Sequence, residues 1–360
     1  MSIYLFPVKG LLTSIDLDLA IGRVRLLGPD RAKVQLHHAA DPSSLPQLLR
    51  GDFDEFETEL GSCVAARVEA EDKDVAVDLV EAALDVLRVF LYTRARAKMP
   101  TFGMTDGGLG GAVQYADLGS GGLGWFRIGH FTGVHITEES AQAYVGSNFA
   151  AIAGAAVGAP APTHNQAKAL TAIRLASRAL LTHDPATQTV LMMTAAEVLL
   201  FGPGEKSKTY RLAQRCAFLL CGRPDGGLCG RDRDSCLILT ADLSSGGAGM
   251  KQLKKIEEMS SVDRRWCCSE WLNVLDWYDI RSEVVHEGGT VGHRDASRVS
   301  FWLVNRLLPA TLDWYTENPE NPHAAIESAL RGLPQPPSWQ LEYETAYQEL
   351  ADDGAFGEAP

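Results

Sequence analysis

The sequence predicts an α+β domain over residues 1–155, an all-α helical bundle over 164–316 and a C-terminal arm over 317–360. Three observations carry this reading. Apolar and polar residues alternate through the first 38 positions, apolar residues recur at three and four positions in most later segments, and the small, proline-bearing run AGAAVGAPAPTHNQ (153–166) separates the two regimes. A length of 360 residues accommodates two domains. With 46% hydrophobic and 22% charged residues, the chain can bury a core, which excludes wholesale disorder.

In the N-terminal region Ile15, Leu17 and Leu19 alternate, as do Val24 with Leu26 and Val34 with Leu36. Gly22 and Gly28-Pro29 break these runs, so the pattern predicts short antiparallel strands. Val64, Ala66 and Val68 predict another strand. The period then changes: Val77, Val80, Leu84, Leu87 and Leu91 predict an amphipathic helix from Asp74 to about 97. The glycine-rich stretch 103–124 lacks both lysine and the GxxxxGK[ST] spacing, so it reads as a connection around a strand at Val113–Leu118 and not as a phosphate loop. A strand-like segment follows over Phe126–Ile136.

Five helices are expected in the bundle. The first covers 165–182 through Leu170, Ile173, Ala176 and Leu180. The second opens at Pro185 and stops at Gly202-Pro203-Gly204. The third runs over 206–220, before a loop at 221–247. A long helix follows Asp263, carries Trp266, Trp271, Leu275, Tyr278 and Val285, and ends at Gly288-Gly289. The last spans 294–316. The tryptophans, including Trp277, Trp302 and Trp314, fall at helical spacing and suit bundle core or a dimer interface better than base stacking.

Charge narrows the function classes. The net charge is −13, yet residues 164–316 hold 19 of the 33 Lys and Arg and only 17 of the 46 Asp and Glu. The acidity therefore belongs to the N-terminal region and the tail, and the bundle can present a basic face to a phosphate backbone. No apolar run approaches the ~20 residues of a membrane span. The start of the chain lacks a basic n-region, so no secretory leader is expected, and seven cysteines suit reduced thiols; a cytoplasmic protein is the expectation. Cys216, Cys221, Cys229 and Cys236 match no common zinc spacing and read as small buried hydrophobes, so neither metal nor cofactor is expected. His37, His38, His130 and His135 lack a surrounding carboxylate pattern and read as surface or core residues.

The segment most suggestive of chemistry is YDIRSEVVHEGG, residues 278–289. Arg281 and His286 are five residues apart, about 140° around a helix, so one helix cannot readily close both onto a single atom. Two copies about a twofold axis could pool two arginines and two histidines. Arginine grips a phosphodiester through its fork of donors, and histidine exchanges protons near neutrality. These groups suffice for metal-independent RNA cleavage by 2′-hydroxyl attack. Lys251, Lys254 and Lys255, with Arg264 and Arg265, form a basic cluster just before the helix, either a solvated face or a guide for RNA.

Arg281-Ser-Glu-Val-Val-His286 resembles the Rx4–6H motif of HEPN domains, and YDIRSEVVHEG is similar to its version in the Apea-like group. Two upstream segments extend the resemblance in the expected order: AAEVLLFG (195–202) and LAQRCAFLLCG (212–222). The resemblance implies a HEPN-type bundle that dimerises, with Arg281 holding the phosphate and His286 as general acid or base. It implies an endoribonuclease of anti-phage defence or toxin-like growth control, acting on RNA such as tRNA, with a phage or antitoxin protein as regulator. Ser282 stands where many active members have Asn, Asp or His, which keeps a non-catalytic nucleotide- or protein-binding module as the alternative. Ser282 and Glu283 would support the site. Glu197 and Arg215 would either join them or form a buried pair between two helices, the pairing being favoured. The acidic N-terminal domain is expected to sense or to restrain the nuclease.

Overall fold

The structure, a computed structural model, describes residues 2–39, 54, 56–95, 102–104, 112–117, 122–127, 134–202, 205, 208–221, 237–241, 243, 247–262, 268–333 and 339–355. The chain divides into two units, Met1–Leu181 and Thr182–Pro360.

The first unit is built on a five-stranded antiparallel sheet in the order β3-β4-β5-β1-β6, with β1 at Ser2–Lys9, β3 at Asp18–Ile21, β4 at Val24–Leu27, β5 at Val64–Ala70 and β6 at Gly103–Met104. β2 (Leu11–Thr13) pairs in parallel with β9 (Val134–Ile136), and β7 (Ala112–Asp117) forms a hairpin with β8 (Gly122–Arg127). Leu19, Ile21, Val24 and Leu26 are buried, as their alternation requires. Gly22 turns between β3 and β4 at φ +58°, where a Cβ would lie 2.2 Å from the Val157 carbonyl oxygen, so only glycine fits.

One expected strand is a helix. Residues Pro29–Ala39, including Val34 and Leu36, form α1. Pro29 presets the first turn and Asp30 complements its dipole. The period that matters is Ala32 to Leu36, which faces a cluster of Leu27, Leu60 and Ala65, while Val34 points out at 54% exposure. Two alternating residues were too few to define a strand.

The expected helix from Asp74 appears as α2 (Lys73–Ala95), with Val80, Ala83, Leu84, Leu87 and Phe90 buried. α3 (Glu138–Val145) opens with a Thr137–Ser140 capping box, and a π-helical turn at Phe149–Gly154 leads towards α4 (His164–Leu181). The run 153–166 is therefore no linker between units: Ala153, Gly154, Ala156 and Val157 are buried, and the Arg23 N–H donates to the Val157 carbonyl at 3.1 Å. α4 belongs to the first unit because its buried side packs on α2 around a polar knot. The Asp85 carboxylate accepts from Ser177 Oγ at 2.5 Å and Arg88 Nη1 at 2.8 Å, and Arg88 Nη2 donates to the Phe102 carbonyl at 2.7 Å. Burial pushes the Asp85 carboxyl above its ordinary range, against the opposing pull of Arg88.

The described residues of the second unit are helical wherever they are regular. α5 spans Pro185–Leu200, α6 Lys208–Leu220, α7 Leu237–Thr240, α8 Gly247–Val262, α9 Ser269–Glu287, α10 His293–Trp302, α11 Leu308–Glu317, α12 Pro322–Gly332 and α13 Trp339–Asp352. Asp184 caps α5 by accepting from the Thr187 N–H at 2.8 Å. The expected helix over 294–316 is interrupted by a π segment at Leu303–Leu307, just where Pro309 lacks the N–H that would reach residue 305. The loop expected at 221–247 includes α7. The expected arm over 317–360 instead carries α12, whose Ile326 and Leu330 are buried, and α13. Trp271, Trp277 and Trp302 are core residues, the last two with ring centroids 4.9 Å apart; Trp266 lies outside the described residues. Among the described residues no helix is long and apolar enough to cross a membrane.

The knot around Asp85 yields a stability prediction. Asp85→Ala strands a buried guanidinium and is expected to cost about 3–5 kcal/mol in urea unfolding, against about 1–3 kcal/mol for Ser177→Ala. Equal, sub-kilocalorie losses for both would show that the knot is not a tie.

Candidate functional site

The helix that carries Arg281 and His286, α9, is fixed at its start and open at its end. Glu270 in its first turn is fully buried, accepts from Trp302 Nε1 at 3.1 Å and is ion-paired with Arg306. A carboxylate removed from water is costly unless such partners surround it, so this contact pins the first turn against α10 and the π segment. Trp271, Val274 and Leu275 continue the buried side, and α9 packs on both α5 and α6. Gly288 ends the helix in the left-handed region at φ +69°, and its N–H and that of Gly289 both donate to the Glu283 carbonyl. The double glycine is thus the stop that the sequence predicts.

Arg281 is half-buried. Its Nη2 lies 3.8 Å from Glu197 Oε1 of α5, and its guanidinium stands 5.5 Å from the centroid of the Tyr278 ring. At 3.8 Å the pair is electrostatic and not a hydrogen bond. Burial raises the Tyr278 phenol, and the Glu197 charge and hydrogen bond raise it further, against opposing pulls from Arg281 and the Thr209 hydroxyl. Glu197, Thr209, Tyr278 and Arg281 therefore bring α5, α6 and α9 to one point. In the sequence Tyr278 stands out only as a helix residue at the head of the motif segment, and Thr209 not at all. The closeness of Tyr278 to Arg281 is legible there, because it precedes Arg281 by three residues and so shares its face; Thr209 offers no local signal.

His286 lies in the last turn of α9, exposed and close to the negative end of the helix dipole. Its place on the helix keeps it about 140° from Arg281 around the axis. Ser282 is half-buried and Glu283 exposed. One protomer thus offers an anchored guanidinium and an exposed imidazole on different faces of one helix end.

The favoured pairing of Glu197 with Arg215 is not formed. Arg215 is 1% exposed and its Nη2 lies 2.6 Å from Glu327 of α12 and 2.7 Å from Glu205, while Nη1 donates to the Leu200 carbonyl at 2.5 Å. Burial alone would raise Glu205, yet hydrogen bonds from Arg215 and the Gly202 N–H hold it below its ordinary range. Arg215 ties the end of α5 to α6 and α12, and this tie is why α12 is no loose arm. Glu197 instead faces Arg281.

Lys251, Lys254 and Lys255 lie on the exposed side of α8, opposite buried Leu253, Ile256 and Met259. The face is mixed: Glu257 accepts from Tyr210 at 2.8 Å, Glu258 from Tyr347 at 3.0 Å, and Lys255 Nζ stands 5.2 Å from the Tyr347 centroid. Arg264 and Arg265 fall outside the described residues. So do Cys229 and Cys236; Cys216 and Cys221 are buried, Cys221 Sγ lying 3.7 Å from Cys268 Sγ. Among the described residues no group of three or more His, Cys, Asp or Glu could hold a metal. His37 lies 3.1 Å from Glu57, and His130 is outside the described residues.

Two variants test how α9 is held. Glu270→Ala is expected to cost about 3–5 kcal/mol in urea unfolding, because Arg306 loses its buried partner. Gly288→Ala should cost only about 1–2 kcal/mol, since a Cβ there meets nothing within 4 Å and the backbone alone is strained. The reverse order would contradict this description.

No family model, curated protein or solved structure matches the chain, so the arrangement of α5, α6 and α9 stands on its own geometry.

Proposed function

We propose that the chain is a HEPN-type, metal-independent endoribonuclease that works as a homodimer in anti-phage defence or toxin-like growth control. The observation that supports it most is the Glu197–Arg281 contact. It joins two of the three segments on which the resemblance rests, 195–202 and 278–289, and the third, 212–222, lies in α6, which packs on the same helix. Glu197 and Arg281, more than 80 residues apart in the sequence, thus meet where the motif places its arginine.

In the proposed reaction the 2′-hydroxyl of a ribose attacks the adjacent phosphorus and the bond to the 5′-oxygen of the next nucleotide breaks. The products are a 2′,3′-cyclic phosphate and a 5′-hydroxyl. The His286 imidazole of one copy takes the 2′ proton while the Arg281 guanidinium of the other holds the phosphate; water protonates the leaving oxygen, and the imidazolium returns its proton to the hydroxide left behind, so protons balance. The substrate phosphate draws Arg281 from Glu197, and its guanidinium neutralises charge that grows on the non-bridging oxygens. Lys251, Lys254 and Lys255 supply attraction to the backbone without sequence choice. RNA, with tRNA foremost, is the proposed substrate, and a phage or antitoxin protein the proposed regulator.

A second reading, a nucleotide- or protein-binding HEPN module, draws on Ser282 after the arginine and on Glu197 already occupying Arg281. The test is cleavage of a labelled RNA in EDTA by the wild type, Arg281→Ala and His286→Ala. The nuclease reading expects cleavage by the wild type and a loss of about 10²–10⁴-fold in each variant at unchanged oligomeric mass. An inactive wild type that still binds RNA or nucleotide, or variants that cut normally, would transfer the case to the binding module.

A further inference from the structure

The first unit holds a cleft of about 410 Å³ between α1 and one face of the sheet, remote in role from anything described above. Three arginines line it. Arg25 of β4 and Arg67 of β5 are direct cross-strand partners, an arrangement in which like charges repel. Arg31 reaches in from α1.

Two of the three are already neutralised. Asp18 accepts from Arg25 Nε at 2.9 Å and Nη2 at 2.5 Å, and from Arg31 Nη1 at 3.1 Å, while Asp16 takes the remaining side of Arg31, with Nη2 at 2.6 Å. Arg67 is different. It is half-buried, and among the described residues no acceptor reaches its buried Nε. A guanidinium beside another arginine, with no carboxylate of its own among the described residues, is a standing cost that an anion on its accessible nitrogens would reduce. Arginine's planar fork suits a phosphate oxygen pair in particular.

The rest of the lining indicates what else the anion carries. The cleft exceeds what a bare phosphate fills and is of the size of small-ligand sites. Leu27 and Val34 supply apolar wall, while Asp30 and Gln35 offer groups that accept from or donate to hydroxyls. A carboxylate on that rim repels a second phosphate but suits a ribose diol. We infer that this cleft binds a sugar phosphate ester up to the size of a nucleoside monophosphate, its phosphate on Arg67 and its hydroxyls on Asp30. The inference is independent of the nuclease reading, for it concerns the first unit alone.

The experiment is calorimetric titration of the full chain with AMP, ribose 5-phosphate, adenosine and inorganic phosphate, repeated on Arg67→Met and Asp30→Asn. Saturable binding of AMP or ribose 5-phosphate is expected, at least about tenfold tighter than either adenosine or inorganic phosphate, and weakened at least about tenfold by Arg67→Met. AMP alone would identify a nucleotide, and both esters alike a sugar phosphate. Met keeps the length of the side chain and removes the like-charge pair, so Arg67→Met should melt no lower than the wild type; Asp30→Asn, on the exposed first turn of α1, should weaken both esters relative to inorganic phosphate, and esters bound as by the wild type would overturn the hydroxyl contact. Absence of saturable binding by both esters, adenosine equal to AMP, or Arg67→Met binding as the wild type would each overturn the inference.

Discussion

The second unit depends on a single buried carboxylate. Glu270 sits in the first turn of α9 without exposure to water, where Trp302 donates to it and Arg306 is ion-paired with it. These contacts fix α9 in register against α10 and the π segment. The helix then runs outward past Trp271 and Trp277 to a glycine stop, with Arg281 held by Glu197 and Tyr278 and His286 exposed in the last turn. Rigidity at one end thus sits beside exposure at the other.

The polar interior is economical in a related way. Arg215 gathers Glu205, Glu327 and the Leu200 carbonyl, and in the first unit Arg88 gathers Asp85, Ser177 and the Phe102 carbonyl. Each guanidinium is nearly surrounded and therefore structural. Arg281 and Arg67 differ from both: one has a distant counter-charge at 3.8 Å, and the other leaves its buried Nε unused. The contrast in satisfaction, and not the residue type, sets Arg281 and Arg67 apart from the arginines that hold the fold.

Much of this architecture was legible in the sequence, for identifiable reasons. β3 and β4 follow from an alternation over several residues, α5 from Pro185 at its start, and the end of α9 from Gly288-Gly289. α1 was misread because Val34 and Leu36 alternate by chance, while the decisive pair is Ala32 and Leu36. The run 153–166 looked like a linker because small residues serve equally in loops and in tight packing; Gly154 is small because a Cβ there would lie 2.4 Å from the Tyr144 hydroxyl. The partners of Arg215 and Arg281 were not legible, since Glu327 and Glu197 lie far away in the chain and no local period marks them.

The central claim is that guanidinium and imidazole act together only when two copies share a site. Subunit exchange between Arg281→Ala and His286→Ala dimers tests it most directly, because each parent lacks one of the two groups while a mixed dimer holds one of each. The account predicts that the two inactive preparations regain metal-free RNA cleavage after mixing and exchange. A mixture that exchanges subunits and stays silent, or a wild type that cuts RNA as a monomer, would contradict it.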